Sequence, residues 1–195
     1  MTYSIIGSGN VGTALARQFT RSGISVSIAN SRGAASLSAL ASELGNNVAA
    51  VSLEDALKAD VIILAVPFMA HSTIAATAPD WAGKTIVDAM NTYGVPPELL
   101  AGRASSDIVA SAFKGANVVK TLNQLPAKLL ATDPVEGGGR RVMFVAGNDA
   151  GATAAIVELV TNLGFAPVAL GKLNEGGVLL EKGGPLVLQN LIKLN

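Results

Sequence analysis

Short apolar runs alternate along the first third of the chain with segments whose apolar positions repeat at helical spacing. The first such segment is the clearest, because Val11, Leu15 and Phe19 recur every fourth residue and Gly23 ends it. The runs are apolar almost throughout, as in strands that helices cover on both faces of a parallel sheet. The pattern predicts strands over 3–7, 24–30, 48–51 and 61–66, and helices over 11–22, 36–44 and 53–59.

The alternation continues to about residue 170 and predicts an α/β fold, a doubly wound Rossmann fold with a mainly parallel sheet. Helices are expected over 72–78 and from Asn148-Asp149 to Leu163, where Asn148-Asp149 offers an N-cap. Further strands are expected over 85–89, 118–122, 141–146 and 167–170. The tail that follows is rich in leucine and is interrupted by glycine pairs, and we expect it to form two short helices.

Charge and composition exclude several classes of function. The 195 residues carry 14 Lys and Arg against 14 Asp and Glu, so the net charge of zero gives no support to nucleic-acid binding. The longest apolar stretch, 61–70, contains Pro67 and is far shorter than the roughly 20 residues that cross a bilayer. The chain has no cysteine and no basic or apolar leader, and we expect a cytoplasmic protein that does not bind membranes. With only 14% charged residues, some apolar surface is expected to be covered by a second copy, as in a homodimer.

The first predicted strand leads directly into a glycine-rich turn of the form G-x-G-x-x-G, which reads Gly7-Ser8-Gly9-Asn10-Val11-Gly12. In such a turn Gly7 permits the sharp bend, Gly9 lets the backbone approach a pyrophosphate, and Gly12 allows the helix to pack closely on the strand. The free amides at the start of the helix favour a bound anion. Glycine-rich turns also serve ordinary connections, but this one lies between a strand and a helix. It therefore predicts dinucleotide binding.

The end of the second predicted strand indicates which dinucleotide is bound. Enzymes that use NAD usually carry an acidic residue there, whereas this chain reads Asn30-Ser31-Arg32. The Ser31 hydroxyl and the Arg32 guanidinium can both donate hydrogen bonds to a 2′-phosphate. We therefore expect NADP(H). In the alternative interpretation Arg32 is a solvated loop cation and Asn30 a turn residue.

The reacting end of the cofactor should lie over two later loops, Ala65-Val66-Pro67-Phe68 and Asp88-Ala89-Met90-Asn91. Pro67 stiffens the first loop, and Phe68 or Met69 could form an apolar wall against the nicotinamide ring. Asn91 could bind the carboxamide or a ribose. Alternatively, Phe68 and Met69 belong to the core and Asn91 caps a turn.

Few residues near these loops could act as an acid or a base. His71 is a candidate cofactor contact or proton donor, although a position at a helix N-terminus explains it equally well. Lys120 is another candidate donor, although a strand lysine is more often a solvated edge charge. We assign no catalytic residue and no metal ligand. Hydride transfer to an isoalloxazine-like ring fits this shortage, because it depends on proximity and orientation more than on a proton donor.

The glycine turn, Asn30-Ser31-Arg32, Ala65-Val66-Pro67, Val119-Lys120-Thr121-Leu122-Asn123 and the apolar tail resemble the NADPH-dependent F420 reductases over nearly the whole chain. A related module forms the oxidoreductase domain of the endosomal metalloreductases. The resemblance implies that the turn holds the pyrophosphate through Ser8, Gly9, Asn10 and Val11, and that Ser31 and Arg32 hold the 2′-phosphate. It further implies an acceptor ring between the Pro67 loop, the turn 123–126 and the tail. His71 stands four positions after Pro67, one further than the histidine of that family.

We therefore expect residues 1–170 to form an NADP-binding Rossmann domain and residues 171–195 a small helical segment for the acceptor site and dimerisation. The expected activity is hydride transfer between NADP(H) and a flavin-like small molecule, which is coenzyme F420, FMN or FAD. Two alternatives stay open. One is a small imine or carbonyl reductase of the pyrroline-5-carboxylate reductase type, and the other is an NADP(H)-binding redox sensor without turnover.

Overall fold

The computed structural model describes residues 1–194, and these form a mixed sheet of ten strands flanked by helices. The strands are β1 (Tyr3–Ile6), β2 (Val26–Ala29), β3 (Val48–Ala50), β4 (Val61–Leu64), β5 (Thr85–Asp88), β6 (Asn117–Lys120), β7 (Val135–Glu136), β8 (Gly139–Gly147), β9 (Ala166–Ala169) and β10 (Ile192–Leu194). The helices are α1 (Asn10–Arg21), α2 (Ser38–Leu44), α3 (Leu53–Ala56), α4 (Ala70–Ala75), α5 (Ser105–Ala112), α6 (Ala127–Leu130) and α7 (Ala150–Asn162). The predicted α/β Rossmann class is confirmed.

Six parallel strands form the centre of the sheet, in the order β3-β2-β1-β4-β5-β6. The chain winds outward in one direction from β1 and in the other from β4, so the order reverses between these two strands. Ligands of such sheets bind at this reversal, outside the carboxyl ends of the strands. β8 extends the sheet antiparallel to β6, and β9 pairs with β8 in parallel.

Alternate residues of the central strands pack against helices on opposite faces. On β4, Val61 and Ile63 belong to a core with α1, α2, α6 and α7, whereas Ile62 and Leu64 belong to a core with α3, α4 and α5. All four residues are buried, which explains why the strand is apolar throughout. The two cores hold the strand ends, and therefore the loops that follow them, in fixed positions.

The C-terminal tail differs from the two predicted helices. It contains one 3₁₀ turn (Gly177–Leu180), and its last described residues form β10, which pairs antiparallel with β8. The segments between the glycine pairs are too short to nucleate stable helices, and the edge of β8 offers backbone partners instead. Asn195 lies outside the described residues, and the division of the chain at residue 170 stays a prediction.

Other elements were not predicted from the sequence. These are α5, α6 and β7, which forms a hairpin with the predicted strand β8 through a turn in which Gly137 and Gly138 both have positive φ. The predicted cap of α7 is confirmed, because the Asp149 side chain accepts a hydrogen bond from the Ala152 amide at 2.7 Å. Within residues 1–194, no helix has the length and apolar character that a membrane span requires.

Candidate active site

The glycine-rich turn connects β1 to α1, and its three glycines have different surroundings. A Cβ on Gly7 would lie 2.2 Å from the carbonyl oxygen of Ala65, and one on Gly12 would lie 1.9 Å from the carbonyl oxygen of Gly7. A Cβ on Gly9 would meet nothing within 4 Å. Gly7 and Gly12 are therefore needed to close the turn, whereas Gly9 borders open space. A pyrophosphate fits this cradle, since Gly9 leaves the backbone free to contact it.

The N-terminus of α1 carries no side-chain cap. Gly9 is the N-cap residue, and the first intrahelical bond runs from the Thr13 amide to the Gly9 carbonyl at 2.9 Å. By contrast, Ser52 and Asp149 cap α3 and α7 with side-chain oxygens. The first turn of α1 also contains no acidic residue. Its amides and the helix dipole are therefore available to an anion.

Two cavities lie on either side of this turn: one of about 380 Å³, which we call the β6-side cavity, and one of about 540 Å³, which we call the β2-side cavity. Both are lined by Gly9 and by Ala65, Val66 and Pro67 of the loop after β4. Because they share these residues, they form one groove across the carboxyl ends of β2, β1, β4, β5 and β6. The groove crosses the point at which the strand order reverses.

Asn30 organises the β2-side cavity. Its Nδ2 donates to the Ser8 hydroxyl at 3.0 Å, which links the loop after β2 to the glycine turn. Its Oδ1 accepts the Arg32 amide at 2.9 Å and the Ser36 hydroxyl at 3.2 Å. Asn30 is thus a turn residue, as the alternative interpretation held, and it also lines the cavity.

Ser31 and Arg32 lie at the exposed rim of the β2-side cavity. Arg32 forms no ion pair with any residue of the range 1–194, and none of the residues lining this cavity is acidic. The rim therefore presents one guanidinium and one hydroxyl that are free to bind a phosphate. A carboxylate that would repel such a group is missing from the lining.

Apolar side chains dominate the β6-side cavity, namely Val11, Val66, Phe68, Met90, Leu125 and Leu188. Phe68 is buried, and its ring lies 4.7 Å from the ring of His71. The His71 Nδ1 donates a hydrogen bond to the Phe68 carbonyl oxygen, so His71 helps to fix the position of Phe68. His71 itself lines neither cavity, and Met69 is 52% exposed and lines neither. Phe68, rather than Met69, therefore forms the apolar wall.

A pair of asparagines joins the loops after β5 and β6. The Asn91 Nδ2 donates to the main-chain oxygen of Asn123 at 2.8 Å, and the Asn123 Nδ2 donates to the Asn91 Oδ1 at 3.0 Å. Leu122, directly before Asn123, is buried and has a φ of +64°, a conformation that is strained for a residue with a side chain. Both asparagines line the β6-side cavity.

Lys120 and Asp88 form a fully buried ion pair beneath this site, with Nζ 3.1 Å from Oδ2. Lys120 also donates to the Met90 carbonyl, while Asp88 accepts the Met90 amide and the Ser106 hydroxyl. The interpretation of Lys120 as a solvated edge charge is therefore wrong, because β8 covers β6 and removes its edge. Lys120 lines neither cavity and acts on the site by holding the loop after β5.

Most of the predicted site residues meet in the groove. Those in its lining are Gly7, Ser8, Gly9, Asn10, Val11, Asn30, Ser31, Arg32, Ala65, Val66, Pro67, Phe68 and Asn91. Gly12 and His71 do not line the groove. Gly12 packs against the Gly7 carbonyl oxygen, and His71 is hydrogen-bonded to the Phe68 carbonyl oxygen. Reasoning from the residues alone did not identify Leu53, Thr73, Tyr93 or Leu188, which also contribute to the lining. These residues come from segments without a motif, and only the tertiary fold brings them to the strand ends.

The fold and the groove are typical of a dinucleotide-binding domain, and the known proteins that resemble the chain include NADP-dependent oxidoreductases. Residues 2–92 match the family model described as NADP oxidoreductase, coenzyme F420-dependent. The chain is 48% identical to a hypothetical protein of Sinorhizobium meliloti, SMa0349, with a TM-score of 0.94 and coverage of 99% and 96% of the two chains. A proposed F420-dependent NADP reductase of Arthrobacter sp. FB24 is 26% identical, with a TM-score of 0.74 and coverage of 99% and 100%.

A curated relative is Metalloreductase STEAP3 of Rattus norvegicus, which is 30% identical over 171 residues. The match covers 87% of this chain and 33% of the relative, so the chain spans about a third of the length of the curated relatives it matches. The resemblance to the F420-dependent NADP oxidoreductases that the sequence predicts is therefore confirmed over residues 2–92.

Proposed function

We propose that the chain binds NADP(H) along the groove and transfers hydride between the nicotinamide and a flat, flavin-like acceptor, such as coenzyme F420, FMN or FAD. One observation carries this proposal: two cavities of different character meet over Gly9. The β2-side cavity has Arg32 at its rim and no acidic residue in its lining, whereas no residue in the lining of the β6-side cavity is charged. A dinucleotide that lies across Gly9 places its adenosine half in the first and its nicotinamide in the second.

Residues of this chain could bind each part of the cofactor. The amides at the start of α1 would bind the pyrophosphate. Ser31 and Arg32 would bind the 2′-phosphate, and Asn30 holds their loop against Ser8. Phe68 would support the nicotinamide ring. When bound, NADPH supplies a hydride from C4 of that ring.

Replacing Arg32 by alanine should weaken NADPH binding by roughly 10-fold, about 1.5 kcal/mol, because a charged hydrogen bond to the 2′-phosphate is lost. The affinity for NADH should be nearly unchanged, since NADH has no phosphate at this position. Isothermal titration of both cofactors against wild type and Arg32→Ala measures the two changes. Arg21, which lies outside the groove, provides the control variant Arg21→Ala. Equal losses for NADPH and NADH would contradict the role assigned to Arg32.

The β6-side cavity is suited to hydride transfer that needs no protein acid. Tyr93 is the one residue in its lining whose side chain can ionise. Its apolar walls would pack against two flat rings and hold them close together, which is what direct hydride transfer requires. Reduction of a carbonyl or imine would demand a proton donor as well, and only the Tyr93 hydroxyl is available within the cavity.

The activity is tested by mixing the purified chain with NADPH and, in separate reactions, coenzyme F420, FMN, FAD and riboflavin. We expect the absorbance of the reduced nicotinamide to fall with at least one of them. Cyclic imines and small ketones form a further series, and turnover with these alone would favour the imine or carbonyl reductase. Tight NADPH binding without turnover of any acceptor would favour the redox sensor.

We also propose that a second copy of the chain covers the tail. Five of its apolar residues are substantially exposed, namely Val178, Leu179, Leu188, Leu191 and Leu194. Exposed apolar residues gathered in one segment of a domain are typical of an interface. Sedimentation equilibrium should therefore show a dimer, and Leu194→Glu should shift it toward monomer. A wild-type chain that stays monomeric at tens of micromolar would contradict this proposal.

A further inference from the structure

A further cavity, of about 460 Å³, lies outside the groove, between α3 and the segment that joins α4 to β5. We call it the Trp81 cavity. Its apolar lining residues are Leu53, Leu57, Ala78, Trp81 and Ala82, and its polar ones are Glu54, Lys58, Thr77, Asp80 and Lys84. Its volume falls within the range of about 300–1,000 Å³ that is typical of small-molecule sites. Of these residues, Leu53 alone also lines the groove.

Trp81 forms a fixed apolar wall of this cavity. The residue is 4% exposed, and its Nε1 donates to the Ala75 carbonyl oxygen at 3.0 Å. Its ring packs edge-on against Phe113, with the ring centroids 5.0 Å apart. Its main-chain amide donates to the Lys114 carbonyl oxygen at 2.8 Å. Because Nε1 is the one polar atom of this side chain and is already hydrogen-bonded, Trp81 presents only apolar surface to a ligand.

Lys84 brings an ammonium group without a carboxylate partner to the cavity. Its Nζ donates to the main-chain oxygens of Lys58 and Ala59, just beyond the C-terminus of α3, at 2.7 and 2.9 Å. An ammonium has three hydrogens, so one is left. Lys84 forms no ion pair with any carboxylate of residues 1–194, whereas the other lysine of the lining, Lys58, is paired with Asp55. The half-buried charge of Lys84 is therefore available to an anion.

The two carboxylates of the lining do not occupy this place. The Asp80 Oδ1 accepts the Ala82 amide at 3.1 Å and so closes a turn. Glu54 is exposed and stands four residues before Lys58, which corresponds to about 6 Å of helical rise away from the oxygen that Lys84 binds. The cavity thus combines an apolar wall with a single unpaired cation at one end.

We infer that the Trp81 cavity binds a medium-chain carboxylate, whose chain packs on Leu57 and Trp81 and whose carboxylate accepts a hydrogen bond from Lys84. An ionised carboxylate loses more hydration than an alcohol when it enters an apolar site. A purely apolar cavity would therefore favour the alcohol of the same chain length, and a preference for the carboxylate requires a cation in the wall. This site does not depend on NADP(H) binding or on hydride transfer.

The test compares octanoate with 1-octanol and octylamine at neutral pH. Trp81 is the only tryptophan of the chain, so its fluorescence reports on this cavity. Wild type should bind octanoate about 10-fold more tightly than 1-octanol, the effect of one charged hydrogen bond. Lys84→Met should lose this preference and keep its affinity for 1-octanol. Lys114→Met is the matched control, because Lys114 is exposed and does not line the cavity.

Unchanged binding of 1-octanol shows that the cavity of Lys84→Met is intact. If this variant binds neither probe, Lys84→Gln replaces it, since glutamine keeps an amide donor for the two main-chain oxygens, and the same loss of preference is expected. Wild type that binds 1-octanol as tightly as octanoate, or that binds no probe, overturns the inference. Tighter binding of octylamine assigns the ligand to Glu54 and Asp80 and overturns it as well.

An Ala78→Leu variant locates the bound probe. Ala78 is half-buried in the cavity wall, and the larger side chain takes up part of the space without changing any charge. The affinities for octanoate and 1-octanol should both fall by about 10-fold, because the chain loses part of its apolar contact. If Ala78→Leu binds both probes as wild type does, the probes lie elsewhere on the chain and the inference is overturned.

Discussion

A Gly9→Ala variant should fold like the wild type and bind NADPH about 100-fold more weakly, a loss of about 2.7 kcal/mol. The added Cβ meets no protein atom within 4 Å, and the φ of −76° at Gly9 suits alanine. The methyl group instead occupies the space through which the proposed pyrophosphate approaches the amides of α1. Isothermal titration measures the affinity, and chemical denaturation measures the free energy of unfolding.

Gly12→Ala is the matched control, since it adds the same methyl group one helical turn away. Its Cβ would lie 1.9 Å from the Gly7 carbonyl oxygen, so the backbone must move. Overpacking of this kind costs about 1–3 kcal/mol of stability. We therefore expect Gly12→Ala to lower the free energy of unfolding and Gly9→Ala to leave it within about 0.5 kcal/mol. A Gly9→Ala variant that binds NADPH normally would show that the pyrophosphate lies elsewhere.

Replacing Lys120 by methionine should destabilise the fold by about 3–5 kcal/mol, because it leaves the Asp88 carboxylate buried without its cation. The Met90 carbonyl loses its donor in the same variant. The loop after β5 should loosen, and NADPH binding should weaken in the part of the population that stays folded. Urea denaturation followed by circular dichroism measures the change in the free energy of unfolding.

The double variant Lys120→Met, Asp88→Asn identifies the cause. Once the carboxylate is neutral, no unpaired charge remains in the core, and the double variant should be more stable than Lys120→Met alone. Asp55 of α3 and Lys58, which follows this helix, form an exposed ion pair that serves as the control. Lys58→Met should change stability by less than about 1 kcal/mol. If the double variant is less stable than Lys120→Met, the unpaired charge of Asp88 is not the source of the destabilisation.

The sequence predicts the part of the site that depends on local spacing. The glycine turn is recognisable because its residues are consecutive and run from the end of one strand into the first turn of one helix, and their separate roles follow from backbone geometry. Asn30, Ser31 and Arg32 are likewise found at a strand end. Strands such as β4 are recognisable because every residue is apolar, which reflects their burial on both faces of the sheet.

The remaining part depends on contacts between distant segments, and local patterns cannot reveal these. Lys120 pairs with Asp88 across 32 residues, and only the parallel pairing of β5 and β6 brings them together. The tail forms β10 because β8 has a free edge, which the sequence of the tail does not show. Leu188 lines the β6-side cavity, and its amide donates to the Gln124 carbonyl oxygen at 2.7 Å, a further contact between distant segments. The β6-side cavity is therefore less predictable from the sequence than the glycine turn and the β2-side cavity.

The proposed hydride transfer can be followed with a labelled cofactor. NADPH that carries deuterium at C4, in each of its two stereochemical forms, is mixed without oxygen with the chain and 5-deazariboflavin. The carbon at position 5 of this acceptor does not exchange a transferred hydride with water. Direct transfer predicts that one of the two forms places its deuterium on that carbon, detectable by mass spectrometry. Two results would contradict hydride transfer by this chain. In the first, the acceptor is reduced but carries no deuterium from either form of NADPH. In the second, 5-deazariboflavin, F420 and the flavins all stay oxidised.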